Sequence, residues 1–227
     1  MDAGTLRNFL KAVNEITDEA TLWVEDGRLM FRSMDAAHIV LVELGLSTEG
    51  CEIDGHVTVN IADLEKSLRH VNDDIGLRLE NKRLKIFNNS FTATLNILSD
   101  TDYRTNQLPK LHHECEAEVE FANLKQAVEH AELFSDHLKL VATQSALTVK
   151  AKNDYGELER NIPVTGLKTE KDTVSASFSI PYLLKINKIL KNTEAENIKL
   201  AFASSKPLEI HAEGLFTAAI FLAPRIE

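Results

Sequence analysis

The chain has 227 residues, 44% of them hydrophobic and 26% charged, with a formal net charge of −10 and two cysteines. That length accommodates two domains of about 110 residues each, and the balance is that of a globular protein, not of a disordered, fibrous or membrane-spanning one. There is no apolar run long enough for a bilayer, Met1–Leu10 carries no secretory core, and Cys51 and Cys115 lie far apart, so reduced thiols in the cytosol or nucleus are expected.

In chain order, a helix opens near Thr5 with the apolar stripe Leu6, Phe9, Leu10 and Val13. Thr21–Glu25 and Arg28–Ser33 alternate apolar and polar residues around the turn pair Asp26-Gly27, and Ile39–Leu44 reads as a more buried strand. A second helix starts at Ile61 with Ile61, Leu64, Leu68 and Val71, followed by strands at Gly76–Glu80, Arg83–Phe87 and Phe91–Leu98. The segment 99–113 has little periodicity. It reads as a connector, either pinned by Tyr103, Leu108 and Leu111 or carrying a binding contact through them.

A third helix from Ala122 uses Leu124, Ala127, Val128 and Ala131, and is followed by strands at Leu138–Ala142, Leu147–Ala151 and Leu158–Ile162. The fourth, from Ile180 with Pro181 near its start, uses Leu183, Ile186, Ile189 and Leu190. Strands Ile198–Phe202, Leu208–Ala212 and Phe216–Leu222 complete the chain. The helix starts are 56, 61 and 58 residues apart. One helix with a few strands is thus used four times, and no such unit can bury its apolar face alone. The expected fold is α+β: two similar domains, each with two helices packed on antiparallel sheets.

Charge is segregated along this plan. With helices at 5–15, 61–71, 122–133 and 180–191, eight basic residues face five acidic ones inside them, against 17 basic and 30 acidic elsewhere. Arg7 and Lys11, Lys66 and Arg69, Lys125, and Lys185, Lys188 and Lys191 fall at three- and four-residue spacings that place each set on one solvent face. Four such helices lining one surface would suit phosphate contact without base readout; ordinary solvated lysine faces are the alternative. The faces lack the interleaved aromatics of a single-strand stacking platform, which points to duplex DNA.

Ser33–Leu46, reading SMDAAHIVLVELGL, closely resembles a signature of the proliferating cell nuclear antigen family of DNA sliding clamps, and the ending FLAPRIE at Phe221–Glu227 is similar to the family's closing motif. Val59–Val71 and Ala122–His137 resemble its second and third inner helices, in the archaeal style, so the likeness runs the length of the chain. The resemblance implies the DNA clamp fold: a clamp domain over 1–99, a connector over 100–113 and a second clamp domain over 114–227, assembling three to a ring around double-stranded DNA. The basic residues above become its inner wall. Asn14, Glu129 and Leu133 depart from the family by making that wall less basic.

The resemblance further implies that DNA polymerase, clamp loader, flap endonuclease and ligase dock through short peptides bearing a glutamine and hydrophobic anchors. The matching pocket comprises Met34, His38, Ile39, Leu41, Leu108, Pro109, Pro207, Phe221, Leu222, Ala223 and Pro224. Family geometry places the subunit contact between Phe91, Ala93, Leu95 and Ile97 of one copy and Leu158, Arg160 and Ile162 of the next. Whether the ring is homomeric, heteromeric or of the damage-checkpoint type stays open. The setting is cytoplasmic and nucleoid-associated for an archaeal protein, nuclear for a eukaryotic one. No catalysis, cofactor or metal is expected. The rival is a zinc enzyme using His112, His113 and Cys115, three candidate ligands in four residues with no second cluster at finger spacing.

Overall fold

The computed structural model describes residues 1–48, 51–98 and 107–225. Four helices occur among them: α1 (Ala3–Asn14), α2 (Ile61–Ser67), α3 (Phe121–Glu132) and α4 (Ile180–Thr193). Their starts are 58, 60 and 59 residues apart, a more regular repeat than the sequence pattern alone indicates. The stripe residues named above are buried, except that Val71 is half-exposed beyond the end of α2.

The strands are β1 (Glu19–Glu25), β2 (Arg28–Met34), β3 (Val40–Ser47), β4 (Cys51–Glu52), β5 (His56–Asn60), β6 (Gly76–Glu80), β7 (Arg83–Phe87) and β8 (Thr92–Asn96) in the first half. The second half supplies β9 (Cys115–Glu120), β10 (His137–Thr143), β11 (Leu147–Asn153), β12 (Gly156–Ile162), β13 (Gly166–Thr169), β14 (Thr173–Ser179), β15 (Asn197–Phe202), β16 (Leu208–Glu213) and β17 (Thr217–Leu222). The hairpin turns at Asp26-Gly27 and Asn81-Lys82 have positive φ at both central residues, the conformation whose twist matches antiparallel strands.

Five strands were not expected from the sequence pattern: β4, β5, β9, β13 and β14. Three of them run straight into a helix, and each alternates apolar and polar residues, as Cys115, Ala117 and Val119 do in β9. They explain why one unit cannot fold alone. The strand leading into α2, β5, pairs with β1 of the first unit; β9, leading into α3, pairs with β15 of the fourth; β14, leading into α4, pairs with β10 of the third. The first unit has only a remnant of this strand, the Asp2 to Asp74 bridge, reinforced by the Ile75 N–H donating to the Met1 carbonyl at 2.9 Å. Three of the units therefore lend a strand to a partner's sheet.

Two four-stranded sheets, β4-β6-β7-β8 and β12-β11-β10-β14, flank a nine-stranded sheet ordered β13-β9-β15-β16-β17-β3-β2-β1-β5. The nine-stranded sheet joins the two halves through β17 and β3, in register at Ile220 and Val42. Across the same junction Phe9 of α1 meets Phe216 edge-on, with ring centroids 5.5 Å apart. Asp2 caps α1 by accepting the Thr5 N–H at 2.6 Å, and Asn60 caps α2 by accepting the Asp63 N–H at 3.0 Å.

Candidate nucleic-acid interface and docking surface

The helices touch in the order α2, α1, α4, α3. A cleft of about 420 Å³ between α1 and α2 is lined by Arg7, Lys11, Ala62, Glu65, Lys66 and Arg69. A second, of about 360 Å³ between α1 and α4, is lined by Lys11, Asn14, Glu15, Lys188, Lys191 and Asn192. Lys11 lines both, so six of the eight expected cations form one continuous strip, and half-exposed Lys185 lies on the α4 flank. The observed helix ends exclude Arg69 and Glu15 together, so the helices keep a surplus of three positive charges.

Within the strip the cations differ. Arg7 is drawn inward, its guanidinium donating to the Leu68 carbonyl at 2.8 Å and to the Val71 carbonyl at the end of α2. Lys188 lies 3.6 Å from the Glu15 carboxylate. Lys125 pairs with Glu129 at 3.4 Å on α3, whose outward positions Ala122, Gln126, Glu129 and Leu133 carry no cation. Leu133 is 78% exposed. Surplus positive charge is therefore concentrated on α1 and α4, with Lys66 and Arg69 extending the strip at α2.

On the opposite face of the nine-stranded sheet, Met34 stands across from Leu41, Leu41 from Phe221, and Phe221 from Glu209. Leu41 and Phe221 are only 5% and 6% exposed, yet they lie outside the main core cluster and form a separate apolar patch. Leu222 faces the other way, fully buried, so its side chain is not part of this patch. Leu108, Pro207, Ala223 and Pro224 are half-exposed, while Pro109 is exposed. Tyr103 lies outside the described residues; 107–113 has no helix or strand.

Asp35, not singled out from the sequence, builds the loop at this patch. Buried to 8% exposure, it accepts the N–H groups of Ala37, Ile39 and Val40 at 3.2, 2.7 and 2.6 Å. The His38 N–H donates to the Asp35 carbonyl at 2.9 Å, and His38 takes φ of 59°, leaving its side chain exposed beside half-buried Ile39. An aspartate shortly before a turn is the sequence signal for such a loop. Tyr182 of α4 has its hydroxyl pKa raised by burial and then by the Asp35 carboxylate, which places the helix against the same loop.

Strands β8 and β12 are each an edge of one of the four-stranded sheets. Phe91, Ala93, Leu95 and Ile97 are half-buried against the core, as is Leu158, while Ile162 is already buried within the chain. Arg160 is held beneath α3, donating to Gln126 Oε1 at 2.6 Å and bonded to His130 Nδ1 at 2.8 Å.

The zinc alternative finds no support in the geometry. Among the described residues no three potential ligands converge on a metal position. Cys115 is in the core with its thiol pushed up to about 11 by burial, His112 lies 3.3 Å from Glu170, and His113 lies 2.9 Å from Glu209.

An α+β fold of four helix-and-strand units, with the helices in a row behind a shared sheet, is the class these features define. Residues 1–104 match the family described as proliferating cell nuclear antigen, N-terminal domain. The DNA polymerase sliding clamp of Methanococcoides burtonii is 26% identical over 100% of this chain and 97% of its own length, and that of Pyrococcus horikoshii is 27% identical over 96% and 93%. Among solved structures, the PCNA of Thermococcus kodakaraensis superposes with a TM-score of 0.86 at 22% identity over 99% of this chain and 98% of its own. A. fulgidus PCNA bound to the C-terminal region of FEN-1 superposes with 0.86 at 18% identity over 100% and 97%. The chain is thus similar over its length to DNA polymerase sliding clamps and, over residues 1–104, to the proliferating cell nuclear antigen N-terminal domain.

Proposed function

We propose that this chain is one subunit of a DNA polymerase sliding clamp, a non-catalytic ring that encircles duplex DNA and tethers replication and repair proteins to it. The row of helices carrying a continuous basic strip on a molecule of net charge −10 is the observation that carries the reading. Such a strip attracts phosphates without reading bases, while the acidic remainder discourages binding elsewhere. Retention comes from topology: a polymerase bound to an encircling ring stays at high effective concentration near its primer end. The two halves, 1–99 and 114–227, act as its clamp domains, with 100–113 as connector.

The ring is read as a homotrimer. Strand β12 presents Glu157 and Glu159, whereas β8 presents Thr92, Thr94 and Asn96, with Arg83 and Lys85 behind them on β7. Head-to-tail pairing of these edges removes two open strand edges. The patch of Met34, Leu41 and Phe221 takes the hydrophobic anchors of docking peptides from polymerase, clamp loader, flap endonuclease and ligase. A primer-extension assay on circular template tests the whole: added protein lengthens products of a clamp-dependent archaeal polymerase, and failure to do so with loader present would contradict the assignment.

A further inference from the structure

The C-terminal tail leaves β17 and is fastened at two points. The Ala223 N–H donates to the Ile39 carbonyl at 2.9 Å, tying the tail to the Asp35 loop. Two residues on, the Arg225 N–H donates to the Ser177 carbonyl of β14 at 2.7 Å, and the Arg225 guanidinium donates to Asp136 Oδ2 at 3.0 Å. Strand β14 is an edge of its sheet, so the tail runs against an open side. The other oxygen of Asp136 lies 2.7 Å from His137 Nδ1, which is itself 3.2 Å from Ser135 Oγ. Hydrogen bonds from His137 and then Arg225 hold the Asp136 carboxyl down to about 2, so it stays anionic at any working pH. Between the two anchors stands Pro224, which has no N–H and a fixed φ.

We propose that Asp136, oriented by His137, and Arg225 form a clasp that holds the tail backbone in place and so positions Ala223 and Pro224 to receive a docking peptide. Asp136 and Arg225 are then positioning residues for partner binding, although neither lies in the apolar patch. The proposal rests on the docking reading given above. Its physical basis is preorganisation: a tail already fixed on β14 does not have to be ordered when an extended peptide lies along it. The pair is 46% and 69% exposed, so its contribution to global stability is small and its effect on affinity is bounded at about three- to fivefold.

The test is a titration of the intact protein with a fluorescent synthetic peptide carrying a glutamine followed by aliphatic and aromatic anchors. Asp136→Asn and Arg225→Gln should each weaken binding about three- to fivefold at low salt, and the difference from wild type should vanish near about 1 M salt, where exposed pairs are screened. Asp136→Lys combined with Arg225→Glu should recover most of the loss. Phe221→Ala, in the patch itself, should weaken binding at every salt concentration. A loss in Phe221→Ala with unchanged affinity in Asp136→Asn and Arg225→Gln overturns the clasp and leaves the docking reading standing. Unchanged affinity in all three overturns the docking reading as well.

Discussion

Arg7 and Leu68 are 61 residues apart in the chain, and the Arg7 guanidinium donates to the Leu68 carbonyl at 2.8 Å. The bond satisfies a carbonyl at the end of α2, a helix of only seven residues with little stability of its own. Arg7→Ala should therefore lower the unfolding free energy by about 2 kcal/mol, the scale of a charged hydrogen bond. Lys11→Ala, exposed one turn further along the same helix, should change it by less than about 0.5 kcal/mol. Chemical denaturation of both variants checks this, and equal effects would show that the bond to α2 contributes nothing.

The basic strip makes a prediction about DNA. Lys185→Glu with Lys188→Glu should weaken retention on nicked circular duplex and reduce polymerase stimulation while leaving the solution mass unchanged. The slope of log affinity against log salt should flatten by about 0.9 for each phosphate that is no longer neutralised. Glu15→Gln, which frees Lys188 from its carboxylate at 3.6 Å, should act in the opposite direction. Retention that is indifferent to all three changes would remove α4 from the proposed DNA-facing wall.

Ring closure can be tested at the two edges. Light scattering of the wild type should give three times the 25.4 kDa subunit mass. Leu95→Asp on β8 and Leu158→Asp on β12 place a charge where an apolar side chain should be covered by a neighbour, and each should yield the subunit mass at micromolar concentration. A trimer mass in both variants would locate the contact elsewhere.

Glu114 joins the start of β9 to two other segments. It binds Lys171 and accepts the Ser204 N–H at 3.1 Å, which together lower its carboxyl from 4.5 to about 2. A depressed folded-state pKa stabilises the fold fully above the unfolded value and loses that stabilisation as pH falls through the folded one. The wild type should thus lose stability relative to Glu114→Gln between about pH 4.5 and 2. Parallel acid-denaturation curves for the two proteins would contradict the role given to Glu114.

Gly214 sits where a Cβ would come within 2.0 Å of the Thr193 carbonyl oxygen, the same oxygen that accepts the Leu215 N–H at 2.7 Å. Backbone cannot give way as a side chain can, so Gly214→Ala should cost about 3 kcal/mol by shifting the β16–β17 turn off the end of α4. A thermal melt close to that of the wild type would show that the turn has room to move.

The helices and their buried stripes are legible because burial at three- and four-residue spacing is written among near neighbours. Leu183, Ile186, Ile189 and Leu190 fall on one face of α4 whatever they touch. The strands before the helices carry the same kind of signal, as in the alternation of Val174, Ala176 and Phe178 in β14, but it is short and merges into the longer helical pattern that follows. The motifs at Ser33–Leu46 and Phe221–Glu227 supply most of the proposed docking patch, although Leu222 faces the core and Asp35 organises the loop beneath His38.

By itself, then, the sequence determined a fourfold repeat, the inward faces of its helices and a basic bias on their outward faces. The tertiary structure decided which strand enters which sheet, that β17 and β3 join the halves, and that Arg7 commits its guanidinium to α2. It also brought Arg225 to Asp136 across 89 residues of chain. Periodic burial follows from backbone geometry within a few residues. Strand pairing and the partner of a charge depend on segments brought together only when the whole chain has packed.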